Sequence, residues 1–151
     1  IISAGYKKHR NKEFALMGNR GEGIQPLVRI LYAEDEPDIQ QLVSVALEVV
    51  GGFTLKICQS GLEALNEVET FKPQLLLLDV MMPDLDGPGA LKGIRAIEAY
   101  RDIPAIFITA KVQEGEVQGY LKLGAADVIT KPFDPMTLAE RIQDIWDKVG
   151  V

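Results

Sequence analysis

Four consecutive leucines, Leu75 to Leu78, run without a polar break into Asp79, and Val80-Met81-Met82-Pro83-Asp84-Leu85-Asp86-Gly87 follows. An apolar run too short for a helix and without alternation describes a strand buried on both faces, as in a parallel sheet covered by helices. A carboxylate at the carboxyl end of such a strand lies where open α/β sheets keep their chemistry. The surroundings of the run agree, because from Val28 onward strand and helix patterns alternate five times. That alternation predicts an α/β fold, a doubly wound five-stranded parallel sheet with five helices.

The predicted strands are Val28 to Ala33, Phe53 to Cys58, Leu75 to Asp79, Ala105 to Thr109 and Ala126 to Thr130. Pro37 suits the first turn of a helix whose inward face is Ile39, Leu42, Val43, Ala46 and Val49, and Gly51-Gly52 stops it. Ser60 and Glu63 have the spacing of a capping box, opening a helix that runs to about Phe71. A third helix follows Asp86-Gly87, where the glycine is expected to supply a positive φ, and turns Ala90, Leu91, Ile94 and Ile97 inward. The fourth, roughly Gln113 to Leu123, is expected to be the loosest. Gly115 and Gly119 lie inside it, each costing about 1 kcal/mol against alanine. Asp134-Pro135 is expected to cap the fifth, where Leu138, Ile142, Ile145 and Val149 recur at helical spacing.

Composition narrows what the fold can serve. The 151 residues fit one domain, and 47% hydrophobic with 25% charged content supports a full core. The net charge of -6 is uneven: residues 1 to 25 hold five Lys/Arg against two Glu, and residues 26 to 151 hold 11 Lys/Arg against 20 Asp/Glu. The folded part is therefore acidic, which argues against a nucleic-acid surface on it. Residues 1 to 25, with His9, the only histidine, read as a flexible leader of native or added origin, and 26 to 151 as the domain. A single cysteine, Cys58, offers neither a disulfide framework nor a zinc cluster and fits a buried thiol in a reducing cytoplasm. No stretch is long and apolar enough to span a bilayer, so no membrane partner is expected.

Four of the strands end in polar groups: Glu34-Asp35, Asp79, Thr109 and Lys131. In a parallel sheet these ends point the same way. With strand order 2-1-3-4-5 the first and third strands are neighbours, and their carboxylates meet at the topological switch point. Clustered carboxylates repel and raise one another's pKa unless a cation neutralises them. Mg²⁺ suits Asp35 and Asp79, with the backbone carbonyl of Met81 completing a half-shell. Lys131 adds a point positive charge and Thr109 a hydroxyl donor. Metal, cation and hydroxyl around a carboxylate nucleophile are the parts phosphoryl transfer needs, because its catalysis is mostly positioning and charge neutralisation.

From Val28 to about Val149 the chain resembles the receiver domain of two-component response regulators, of the chemotaxis-regulator-like kind with a flavodoxin-like fold. The resemblance rests on Ile30-Leu31-Tyr32-Ala33-Glu34-Asp35-Glu36-Pro37, on Leu78-Asp79 through Asp86-Gly87, on Ile108-Thr109-Ala110 and on Lys131-Pro132-Phe133, in that order. It implies that Asp79 is the phosphorylation site, receiving phosphate from a phosphohistidine on a sensor histidine kinase or on a phosphotransfer protein of a phosphorelay. It also implies that Glu34 holds metal-bound water, and that Lys131-Pro132 is cis. A switch then passes from Thr109 to a protein-binding surface on the fourth helix, fifth strand and fifth helix, where a downstream protein docks. Three residues before Lys131 the family commonly places an aromatic switch residue; this chain has Val128, too small for that part, so the fourth helix is expected to carry more of the switch. On this reading the chain is not a dedicated enzyme and promotes only its own phosphotransfer and autodephosphorylation.

Three other readings share parts of the pattern. A phosphorylation-independent receiver-like docking module would not need the full set of acids, hydroxyl and lysine. A flavin-binding flavodoxin-like protein would need a Ser/Thr/Gly-rich phosphate loop where Glu34-Asp35-Glu36 stands. An aspartate-nucleophile phosphatase would place a second acid where Met81 stands.

Overall fold

The computed structural model describes residues 25–110 and 113–149, so the expectations placed on the leader and His9 lie outside the described residues. Five strands, β1 (Arg29–Ala33), β2 (Thr54–Cys58), β3 (Leu75–Asp79), β4 (Ala105–Thr109) and β5 (Asp127–Thr130), form one sheet in the order β2-β1-β3-β4-β5, with every pair parallel. Five helices connect and flank them: α1 (Pro37–Ser44), α2 (Gly61–Phe71), α3 (Gly87–Arg95), α4 (Glu114–Lys122) and α5 (Leu138–Val149). The expected doubly wound fold and strand order are therefore present.

Alternation along the strands divides the core in two. Ile30, Tyr32, Leu75, Leu77, Ile106 and Ile108 face α1 and α5, whereas Leu31, Ala33, Leu76, Leu78 and Phe107 face α2 and α3. All five residues of β3 are buried, as its unbroken apolar run requires. Each buried leucine contributes about 1.5–3 kcal/mol of burial free energy, which makes β3 the axle of the sheet.

Local chemistry sets most boundaries where expected. Pro37 opens α1, and Ser60 accepts from the Glu63 N–H at 3.0 Å while the Glu63 carboxylate accepts from Gln59 N–H at 2.8 Å. Asp86 caps α3 by accepting from Gly89 N–H at 2.8 Å.

Several expectations need correction. Val28 lies outside β1, its N–H donated to the Gln74 side chain instead of the ladder, and Phe53 and Ala126 precede their strands. Leu42 and Val49 face solvent, while Leu47 is buried. After Ser44 the helix widens into a π-helical turn, Val45–Val50, and the added residue per turn rotates the apolar face. The positive φ in the loop after β3 belongs to Asp84, not Gly87. Gly87 is required by contact: a Cβ there would lie 2.5 Å from the Asp79 carbonyl oxygen. Asp134 forms a turn before α5, its carboxylate accepting from Met136 N–H at 2.9 Å, and Thr137 takes the capping place, its carbonyl accepting from Arg141. Val149 is exposed at the end of α5. Trp146 packs against the core as expected, and its indole N–H also donates to the Gln25 carbonyl at 2.8 Å.

Candidate functional site

The carboxyl ends of β1, β3, β4 and β5 converge. Parallel register aligns Ala33 with Leu78 and Asp79 with Ile108, so the residues after β1 and at the end of β3 are side by side. The backbone carries the site onward: Val80 N–H donates to Ile108 O at 3.0 Å, and Lys131 N–H to Thr109 O at 2.8 Å. Gly87 N–H donates to Val80 O at 3.0 Å, and the absence of its Cβ lets the start of α3 lie on the Asp79 backbone.

Glu34, Asp35 and Asp79 each offer a carboxylate oxygen within 4.8 Å of the others. Glu34 is fully buried, Asp79 is 3% exposed and Asp35 is half-buried. Lys131 reaches into this group, its Nζ 3.0 Å from Glu34 Oε1 and 3.3 Å from Asp79 Oδ2. Thr109 is buried at the end of β4. Met81 lies in the loop just past β3 with its side chain exposed. The fold thus gathers Glu34, Asp35, Asp79, Thr109 and Lys131 at one end of the sheet, with Met81 on the adjoining loop. Val128 is buried on β5, away from the surface position a swinging side chain would need.

Three carboxylates face one lysine. Burial raises the pKa of Glu34, with the Lys131 hydrogen bond opposing and the Asp79 charge adding to the rise. Burial also works against the Lys131 charge, but the hydrogen bond to Glu34 and the charges of Asp79 and Glu34 outweigh it and raise that pKa. Lys131 is therefore an ammonium, and the excess negative charge left over suits a small hard cation. The donor set fits Mg²⁺: oxygen ligands only, with the half-buried Asp35 open to solvent.

Tyr32 was missed in the sequence. A tyrosine in an apolar strand reads as core, yet its hydroxyl donates to Glu34 Oε1 at 3.3 Å, and burial pushes its pKa upward with the Glu34 charge adding to it. The signal was present in the two-residue spacing of Tyr32 and Glu34, which puts both on one face. Tyr120 of α4 is a second. Its ring meets Phe107 edge-on at 5.5 Å between centroids, and burial raises its hydroxyl pKa, with the Glu116 charge adding and a hydrogen bond with Thr109 opposing. Cys58 is buried as expected, its thiol pushed up to about 12 chiefly by burial.

Residues 30–143 match the family model of the response regulator receiver domain. The phosphate regulon transcriptional regulatory protein PhoB of Pseudomonas aeruginosa is 37% identical over 80% of this chain and 52% of its own length. The alkaline phosphatase synthesis transcriptional regulatory protein PhoP of Bacillus subtilis is 38% identical over 78% of the chain and 48% of its own length. The chain spans about half of each of these two regulators. Among solved structures, the chemotaxis protein CheY4 of Vibrio cholerae superposes with a TM-score of 0.73 at 27% identity, covering 79% of this chain and 98% of that one.

Proposed function

The chain belongs to the response regulator receiver domain family, whose members take a phosphoryl group from a histidine kinase onto an aspartate with Mg²⁺, and we propose that the acceptor here is Asp79. The observation that carries the assignment is the pairing of Asp79 Oδ2 with Lys131 Nζ at 3.3 Å inside a buried acid cluster. No other aspartate in that cluster lies within salt-bridge distance of the lysine among the described residues.

Asp35 and Asp79, the Met81 carbonyl and, through water, Glu34 would hold Mg²⁺. When bound, the ion supplies positive charge to the phosphoryl oxygens as negative charge builds on them. The Asp79 carboxylate attacks phosphorus of the donor phosphohistidine; the O–P bond forms as the P–N bond breaks, and the released imidazole nitrogen takes a proton. Lys131 neutralises the incoming phosphoryl charge, and the Thr109 hydroxyl donates to one of its oxygens. Attack of water on the acyl phosphate returns carboxylate and inorganic phosphate. In this reading the chain is no dedicated enzyme; it promotes only these two steps.

The exposed apolar side chain of Met81, just past Asp79 in the chain, and those of Leu42 on α1 and Val45 in the π-helical turn after it offer a partner apolar surface. A sensor kinase or phosphotransfer protein would dock there, and a downstream protein on α4, β5 and α5. Val128 cannot relay the signal by swinging, and Tyr120 beside Thr109 is the aromatic placed to do so from α4. Residues 26–151 are taken as the receiver and 1–25 as a leader. No helix among the described residues is long and apolar enough to cross a membrane; a cytoplasmic location is part of this reading, which the reduced, buried Cys58 suits.

Intact-mass spectrometry after incubation with a small-molecule phosphodonor tests the assignment. A Mg²⁺-dependent phosphoryl adduct is expected on the native chain and none on Asp79→Asn. Stable labelling of Asp79→Asn would overturn the acceptor, and no adduct under any condition would favour the phosphorylation-independent docking module.

A further inference from the structure

Tyr32 is among the largest fully buried side chains of the fold, and it lies on β1 next to the acid cluster. It is fully buried among aliphatic side chains, where a phenol needs a partner for its hydroxyl and a phenylalanine would fill nearly the same volume. The partner is Glu34 Oε1 at 3.3 Å, the same oxygen that accepts from Lys131 Nζ at 3.0 Å. Glu36 N–H donates to the other oxygen at 3.2 Å. Glu34 thus receives donors from β1, from its own loop and from the segment after β5. Among the described residues no buried side-chain polar atom is left without a partner. A glutamate has one more rotatable bond than an aspartate, so its carboxylate needs more fixing to present one lone pair in one direction. A hydroxyl behind a metal-site carboxylate does that work.

We propose that Tyr32 is a positioning residue for the metal site, its hydroxyl holding Glu34 Oε1 in place beside Lys131 so that the carboxylate offers a fixed acceptor to metal-bound water. The proposal rests on reading the acid cluster as a Mg²⁺ site.

Mg²⁺ alone, titrated into the full chain and followed by amide chemical shifts, tests it without phosphoryl transfer. Tyr32→Phe, which keeps the ring, is expected to weaken Mg²⁺ about threefold to tenfold, the worth of one buried hydrogen bond. In a Glu34→Gln background the same change is expected to have no further effect. Unchanged or tighter Mg²⁺ binding in Tyr32→Phe, or equal weakening in the Glu34→Gln background, would overturn the role, because packing alone would then explain the residue. Absence of Mg²⁺ binding by the native chain would instead sink the metal-site reading beneath it. Where Tyr32→Phe does not fold, fluorotyrosine incorporated in the native chain serves: a Mg²⁺-induced shift of the Tyr32 fluorine signal that disappears in Glu34→Gln supports the role, and its absence in the native chain overturns it.

Discussion

The carboxyl ends of β1 and β3 are held from every side, whereas α4, lying on β4 and β5 a few residues away in space, is held by little. β3 is buried at all five positions, Glu34 has three donors, and Gly87 leaves no room even for a methyl against Asp79. No residue of α4 is fully buried, and a Cβ on Gly115 or Gly119 would meet nothing within 4 Å. Chemistry at an aspartate needs groups placed before the reaction, since reorganising them would cost transition-state stabilisation. A response needs the opposite, an element whose displacement costs little free energy. The two requirements meet at β4, which ends in buried Thr109 on the rigid side and packs Phe107 against Tyr120 of α4 on the loose one.

The sharpest way to break this contrast is to weaken its rigid half. Leu77→Ala removes a fully buried side chain from β3 and is expected to cost about 2–5 kcal/mol in urea unfolding. A loss under about 1 kcal/mol would mean that β3 is not the rigid axle described.

Lys131→Ala comes next, because it leaves Glu34 and Asp79 facing each other without their cation. A loss of about 3 kcal/mol at pH 7 is expected, partly restored by saturating Mg²⁺. The pH dependence gives a separate reading. The folded pKa of Lys131 is raised above the ordinary 10.5, so its stabilisation is fully present below that value and is lost as pH rises through the folded pKa. Native chain and variant should therefore converge in stability at strongly alkaline pH, and a gap that stays constant would assign the loss to packing.

The smallest expected effect sharpens the loose half. Gly115→Ala and Gly119→Ala should each stabilise α4 by about 0.5–1 kcal/mol, since neither glycine is needed for contact. The informative readout is amide exchange in α4 before and after phosphorylation: the alanines are expected to reduce the change. An undiminished change would place the response elsewhere.

Much of this site was legible in the chain. Asp79 announces itself by ending an apolar run, and Glu34-Asp35, Thr109 and Lys131 by following strands whose ends must agree in direction. What the reading missed has a common cause. Periodicity assumes regular helices, and the π-helical turn at Val45–Val50 shifts the phase, so Val49 came out and Leu47 went in. Turn chemistry gives glycine the positive φ by default, yet Asp84 takes it, because Gly87 was needed for a close approach that no local rule contains.

The sequence by itself determined which segments would hold the strands, that they would run parallel, and which polar groups would stand at their carboxyl ends, because period and strand–helix alternation are properties of neighbours along the chain. Only the tertiary structure decided that Lys131, 97 residues from Glu34, would share one of its oxygens with Tyr32, and that Tyr120 would lean on Phe107. Those contacts depend on how far side chains from separate strands and helices reach once the sheet is packed. A distance between residues so far apart in the chain is written in no local pattern.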